Sequence, residues 1–568
     1  MNTISTESKP LWQPSPEQIN ATYITEFIMV VNQQYNLQLS DYQSLWQWTI
    51  DHPEAFWSLL WDYCDVVGEK GDRILEHAEC MPGADWFPDA ELNYAENLLL
   101  RDDDSDSLVF WGEDIIKRRL THRQLRSRVS QCQQALRRAG VVKGDRVAGY
   151  LPNMPETIIA MLATTSLGGI WCSASPDFGV EGVLDRFGQI QPKVLFCVDG
   201  YFYNGKWIDC LEKNRAVLQR LGNETQAVLL AFRDEEQPGC AMDQAVAWRD
   251  FIAPYEAAEL IFVRVAFGDP LYIMFSSGTT GAPKCIVHSV GGTLIQHLKE
   301  HRLHANIRPD DRLFYFTTCG WMMWNWLVTG LASEATLLLY DGSPFAGNKQ
   351  LLFDFAEQEG MTQLGTSAKY IEACNKHALQ PIKTRRLEKL RSVFSTGSPL
   401  TPESFRYVYS NIKKDLHLAS ISGGTDILSC FALGAPILPV WVGELQCLGL
   451  GMAVDAFDQH GQPVRGGKGD LVCTKPFPAM PIGFWDDEDG SRYRSAYFER
   501  FPNVWCHGDF VEITPHNGMI IHGRSDAVLN PGGVRIGTAE IYRQVEKIDQ
   551  VLESVVIGQE WQDDVRVV

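Results

Sequence analysis

The sequence predicts an α/β fold of parallel sheets joined by crossover helices, with a smaller β subdomain toward the C-terminal end. From about residue 108, short apolar runs alternate with helical patterns, as parallel strands and their return helices do. From 449 to 521 the helical patterns thin out, and Gly, Pro and short strand signals take over. At 568 residues the chain is too long for one hydrophobic core, so several domains or subdomains are expected.

Ahead of the alternation, Trp46, Trp48, Trp57, Trp61 and Trp86 fall among helical patterns, which predicts a helical cap over residues 1–100. LVFWGED at 108–114 opens as a strand. Thr121 with Gln124 three residues later has the form of a capping box. Leu125, Val129, Cys132 and Leu136 continue at helical spacing until Gly140 ends the helix. RVAGYLPN at 146–153 reads as a buried strand leading to a turn. A helix over about 155–167 is stopped by Gly168 and Gly169, and KVLFCV at 193–198 is the next strand. The polar stretch 223–238 is expected as a surface insertion. LYIMFS (271–276), ATLLLY (335–340) and LRSVFS (390–395) resume the alternation, with no internal repeat visible.

Acidic residues outnumber basic ones by 71 to 50, for a net charge of −21 and a pI near 5.1. That balance argues against a nucleic-acid partner, whose binding face would be basic. An anionic substrate must then be captured by local dipoles and a few basic side chains. The 14 cysteines form no CxxC pair and no Cys/His zinc spacing, which points to a reducing compartment. The N-terminus lacks a basic start and an apolar h-region, and no apolar run of about 18 residues exists, so no membrane span is read. The expected location is cytoplasmic.

The most informative segment is Ser276-Ser277-Gly278-Thr279-Thr280-Gly281-Ala282-Pro283-Lys284. Glycines let backbone N–H groups close around an anion, hydroxyls add donors, and the lysine supplies a point charge. The spacing G-x-x-G-x-x-K is not that of a Walker A loop, and CIVHS after it reads as a strand rather than a helix. A polar hairpin loop is the plainer alternative. The string SSGTTGAPK, however, resembles the phosphate loop of the adenylate-forming superfamily: acyl-CoA synthetases, luciferases and peptide-synthetase adenylation domains. Further matches follow in that family's order.

On this resemblance, Ser276, Ser277, Gly278, Thr279, Thr280, Gly281 and Lys284 bind the phosphates of ATP, and Gly397-Ser398-Pro399 packs backbone against the adenine. Gly424 and Thr425 meet the α-phosphate, and Asp426 supports Mg²⁺. Most relatives carry Glu where Asp426 stands; one methylene shorter, Asp426 would reach the ion through a water. Asp509, in WCHGD, corresponds to an acceptor for both ribose hydroxyls, and Arg524, in GRSD, to a ribose and phosphate contact. Asp526 falls at the family's hinge, and Arg535 matches a basic residue that engages phosphate. Lys284, Thr425 and Arg535 are the implied catalytic residues. The resemblance implies an adenylation domain of two parallel-type sheets over 101–525, with a C-terminal domain starting at 526.

The acid should lie between Cys319-Gly320-Trp321-Met322-Met323-Trp324 and Gly423-Gly424, with Trp321, Met322, Met323 and Gly423 as its contacts. Acetate-activating relatives close this pocket with a tryptophan where Gly423 stands, so a longer acid is expected. WFPDAELNYAENLL (86–99) and GGTDI (423–427) extend the likeness over essentially the whole chain, to the acetoacetyl-CoA synthetase branch. That branch implies acetoacetate, ATP and CoA as substrates. Propionate, butyrate or a branched acid is the alternative, and a nucleotide-binding remnant a second one. Only 42 residues follow Asp526, with Lys547 the sole lysine among them and VRVV a final strand; the C-terminal domain is therefore expected to be truncated and largely missing.

Overall fold

The computed structural model describes residues 9–233, 242–276, 282–525 and parts of 528–568. Among these, one sheet has eight strands in the spatial order Ala245–Ala247, Gln226–Leu230, Val194–Val198, Arg146–Tyr150, Ile170–Ala174, Pro270–Ser276, Lys284–Ser289, Gly483–Phe484. The first six are parallel, and Lys284–Ser289 runs antiparallel to both of its neighbours. A second sheet has seven strands: His417–Ser420, Ser392–Thr396, Gln363–Ser367, Arg312–Tyr315, Thr336–Asp341, Asp106–Gly112, Ile116–Thr121. Here too the first six are parallel and the hairpin partner antiparallel.

The two sheets share one topology. In each, five consecutive strands lie in the order 5-4-3-1-2, and a hairpin adds the next two positions beside strand 2. The hairpins are exchanged along the chain: 106–121 precedes the strands of the first sheet but joins the second, and 270–289 does the reverse. This repeat is absent from the residue pattern, because strand order is decided by packing between elements rather than by local propensity.

Local signals nonetheless place most elements. Thr121 and Gln124 form the expected capping box, with Gln124 N–H donating to Thr121 Oγ1 at 3.2 Å and Thr121 N–H to Gln124 Oε1 at 2.9 Å. The helix His122–Arg138 then runs to Gly140, whose φ of +81° lets the chain turn away. Strand Val194–Val198 is buried throughout, as a central parallel strand covered by helices on both faces must be. Every residue of helix Pro155–Ser166 is buried.

Two expectations change. The helical cap expected over the first hundred residues packs on the larger domain but is not helical throughout: the helix Pro53–Tyr63 ends well before Trp86, which lies on a strand, Asp85–Trp86, paired with Leu75–Glu76. Glu91–Leu92 pairs with Val265–Ala266, and Phe27, Trp57 and Trp61 share the core of the first sheet's helices. The polar stretch at 223–238 conceals the buried strand Gln226–Leu230, a short apolar run masked by its polar neighbours. Residues 234–238 lie outside the described residues.

The expected β subdomain is an antiparallel sheet of Val454–Phe457, Gly469–Cys473, Trp505–Ile513 and Met519–Arg524, with the helix Ser491–Tyr497 packed against it. Beyond it, Val528–Leu529 pairs with Ile536–Gly537, and Gly558–Trp561 with Asp564–Val567. No helix among the described residues is long and apolar enough to cross a membrane.

Candidate functional site

In open parallel sheets ligands bind beyond the carboxyl ends of the strands, where the strand order reverses. In the second sheet that reversal lies between Arg312–Tyr315 and Gln363–Ser367. A cleft of about 400 Å³ opens at these strand ends, beneath the β subdomain. Trp321, Met322 and Met323 reach it from the segment after Arg312–Tyr315, and Gly397, Ser398 and Pro399 from the turn after Ser392–Thr396. Gly423, Gly424 and Thr425 enter from the hairpin after His417–Ser420, Ser276 from the first sheet, and Asp509 and Arg524 from the β subdomain. These residues, far apart in the chain, converge as the motifs predict.

Lys284 and Asp426 stand together beside the cleft. Ser276 and Lys284 pair at one end of the hairpin formed by Pro270–Ser276 and Lys284–Ser289. Lys284 Nζ lies 3.7 Å from Asp426 Oδ1 and 4.9 Å from the Tyr497 ring centroid. Asp426 is buried, and its Oδ1 accepts the Tyr497 hydroxyl at 2.5 Å. Ser277, Gly278, Thr279, Thr280, Gly281, Asp526, Arg535 and Lys547 lie outside the described residues.

Asp509 and Arg524, expected separately as nucleotide contacts, form a pair at the cleft. Arg524 Nη1–H donates to Asp509 Oδ1 at 3.1 Å, and His507 Nε2 lies 3.7 Å from Asp509 Oδ2. Trp505 Nε1–H donates to His507 Nδ1 at 3.4 Å, which leaves Nε2–H to face the Gly423 carbonyl at 3.3 Å. His507 thus ties the β subdomain to the hairpin of Gly423. His288 bonds to the Thr425 backbone of the same hairpin, and burial pushes its imidazole down to about 4.

Gly423 plays a stricter part than making room. A Cβ there would stand 1.9 Å from Ser429 O and 2.7 Å from Cys430 Cα, both backbone atoms of the facing strand. Any side chain at 423 requires the hairpin itself to move.

Several cleft residues escape sequence reasoning. Phe178 and Arg186 come from the loop and helix after Ile170–Ala174, Leu445 from a segment bridged to Met519, and Ile521 from the β subdomain, with no motif to mark them. Arg186 lies over the Phe178 ring at 4.7 Å and brings a cation to the side of the cleft that the first sheet forms. Ile421 and Ser422 adjoin Gly423 in sequence, the one signal that could have found them.

Residues 102–480 match the family model of the AMP-binding enzymes, and 42–98 that of the acetyl-coenzyme A synthetase N-terminus. The chain is 56% identical over 560 residues to acetoacetyl-coenzyme A synthetase of Rhizobium meliloti (strain 1021), covering 99% of this chain and 86% of that protein. It is 45% identical to acetoacetyl-CoA synthetase of Gallus gallus, covering 97% and 84%. Among solved structures, acetoacetyl-CoA synthetase from Streptomyces lividans superposes with a TM-score of 0.87 at 42% identity, covering 97% of this chain and 85% of that one. The part after 526, expected to be largely missing, is matched as far as the chain runs: the matches cover 97% to 99% of this chain and 84% to 86% of those two relatives' own lengths, and among the described residues after Arg524 two short strand pairs form.

Proposed function

The chain belongs to the AMP-binding enzyme family, and on that premise we propose that it is an acetoacetate–CoA ligase that forms AMP. Acetoacetate is activated with ATP to an acyl-adenylate, and the acyl group then passes to CoA. The observation that carries the reading is the cleft itself, where the Asp509–Arg524 pair, the Gly397–Ser398–Pro399 turn, Thr425 and an apolar acyl end meet in one cavity.

Each step asks a definite task of these residues. In the first, a carboxylate oxygen attacks the α-phosphorus and the bond to pyrophosphate breaks. Asp509 and Arg524 hold the ribose, and Gly397, Ser398 and Pro399 give the adenine a flat backbone edge. The Thr425 hydroxyl and the Lys284 ammonium stabilise charge on the phosphates, the principal work in phosphoryl transfer. Arg535 and the loop 276–281 would add donors. In the second step the CoA thiolate attacks the acyl carbonyl carbon and AMP leaves, with the thiol proton passing to solvent. No protein nucleophile takes part, which suits cysteines that are all free and mostly buried among the described residues.

Mg²⁺ fits the site as a water-bridged ion. The described residues hold no group of three or more His, Cys, Asp or Glu that could cage a metal, and Tyr497 already occupies one Asp426 oxygen. A magnesium ion that keeps its waters and takes substrate phosphates needs one such carboxylate. When bound, it neutralises charge on the phosphates of ATP.

We assign residues 101–525 to the adenylation domain, with 1–100 packed on it and the C-terminal part starting at 526, and place the protein in the cytoplasm. ATP–pyrophosphate exchange across acetoacetate, propionate, butyrate and a branched acid tests the reading. Acetoacetate should give the highest kcat/KM, and Lys284→Ala should lower exchange about 100-fold or more. Normal exchange by that variant would overturn the role of the loop, and preference for a simple alkanoate would overturn the substrate.

A further inference from the structure

The helix Val290–Lys299 runs into a π-helical turn, Glu300–His304, inside the core. Such turns shift one residue out of helical register and recur beside functional sites. Glu300 is 1% exposed and lies between two elements that line the cleft. Its Oε2 accepts Trp326 Nε1–H at 2.9 Å, from the helix whose first residues are Met322 and Met323. Its Oε1 accepts the Ser429 hydroxyl at 2.5 Å and Cys430 N–H at 3.0 Å, from the strand that forms the facing wall. Lys299, fully buried, stands 3.6 Å from the same oxygen as its counter-charge.

A buried carboxylate that collects several directional bonds holds its partners more strictly than apolar contact does, because each bond it loses leaves a desolvated donor unpaired. Ser429 is held from both sides, since its Oγ also accepts Gln296 Nε2–H at 2.8 Å. Its proton is committed to Glu300, so the surface offered to an acyl chain is the carbon and sulfur of Ser429, Cys430, Met322 and Met323. We propose that Glu300 is a positioning residue that ties the two walls of the acyl end together and thereby sets which short acid the cleft accepts. The proposal rests on the ligase reading above.

Glu300→Gln leaves one acceptor oxygen for three donors, so one wall is released. The expected result is at least a tenfold fall in the kcat/KM ratio of acetoacetate to butyrate in pyrophosphate exchange, with KM for ATP within twofold of wild type. Trp326→Phe and Ser429→Ala each untie one wall, and they carry the test if Glu300→Gln does not fold. Folded variants with unchanged acid ratios would overturn the proposal. So would an equal loss on every acid accompanied by a raised KM for ATP, the mark of general structural damage. Wild-type protein that exchanges with none of the acids overturns the ligase reading and the proposal with it, whereas wild-type exchange with unchanged variant ratios overturns only the role of Glu300.

Discussion

The Tyr497 hydroxyl donates to Asp426 Oδ1 at 2.5 Å while its ring stacks on Trp505, with centroids 3.9 Å apart and planes 13° from parallel. Asp426 is thereby held from the helix of the β subdomain, and Lys284 is held 3.7 Å from Asp426 in turn. The acid and the loop lysine share one anchor. Tyr497→Phe keeps the stack and removes the bond, at a cost of about 1.5–3 kcal/mol for a hydrogen bond to a charged group. The expected outcome is a kcat for exchange lowered about tenfold or more, with KM for acetoacetate nearly unchanged. A variant with wild-type kcat would show that Asp426 keeps its place without Tyr497.

Asp509 accepts from Arg524 and faces the position proposed for the ribose. Asp509→Asn should raise KM for ATP at least tenfold, about 1.4 kcal/mol, and leave the acid preference alone. With 2′-deoxy-ATP the wild type should lose a comparable factor and the variant little more, because the two changes remove one interaction. Additive losses would place the ribose elsewhere.

Gly423→Ala sets a Cβ against backbone atoms that cannot rotate away. Strain of about 1–3 kcal/mol is expected, read as a lower Tm, together with a loss of kcat/KM for acetoacetate. A stable, active alanine variant would mean that the hairpin yields easily and that Gly423 serves pocket volume alone.

Burial pushes His288 and His417 down to about 4, from an ordinary value near 6.5. The unfolded chain takes up protons at these sites below about pH 6.5, while the folded protein resists until about 4. Their contribution is therefore complete above about 6.5 and falls as pH drops toward 4, by about 3 kcal/mol per histidine at most. Thermal unfolding should show Tm falling from pH 7 to pH 5, and His417→Gln should flatten the slope. A flat wild-type profile would contradict the burial argument.

The legible parts of the site were short segments whose chemistry lies in adjacent residues. Gly397-Ser398-Pro399, Gly423 to Asp426 and Trp505 to Asp509 each hold their turn and their functional group within five residues, and all three segments stand at the cleft or beside it. Arg186, Phe178 and Glu300 were not legible. An arginine on a helix, a phenylalanine after a strand and a glutamate among histidines look like surface or core until their neighbours are known. Trp86 was misplaced because the tryptophans before it lie on helices, whereas the helix that carries Trp57 and Trp61 ends at Tyr63 and the chain at Trp86 is extended.

By itself the sequence determined which elements form and which residue types are available for phosphate, ribose and carboxylate chemistry. Propensity, capping and turn formation act over a few residues, so they can be read locally. Tertiary structure decided the shared 5-4-3-1-2 order of the two sheets, the meeting of Lys284 with Asp426 and the need for glycine at 423. Those outcomes depend on contacts between segments remote in the chain, where burial and close packing, not local pattern, choose the arrangement.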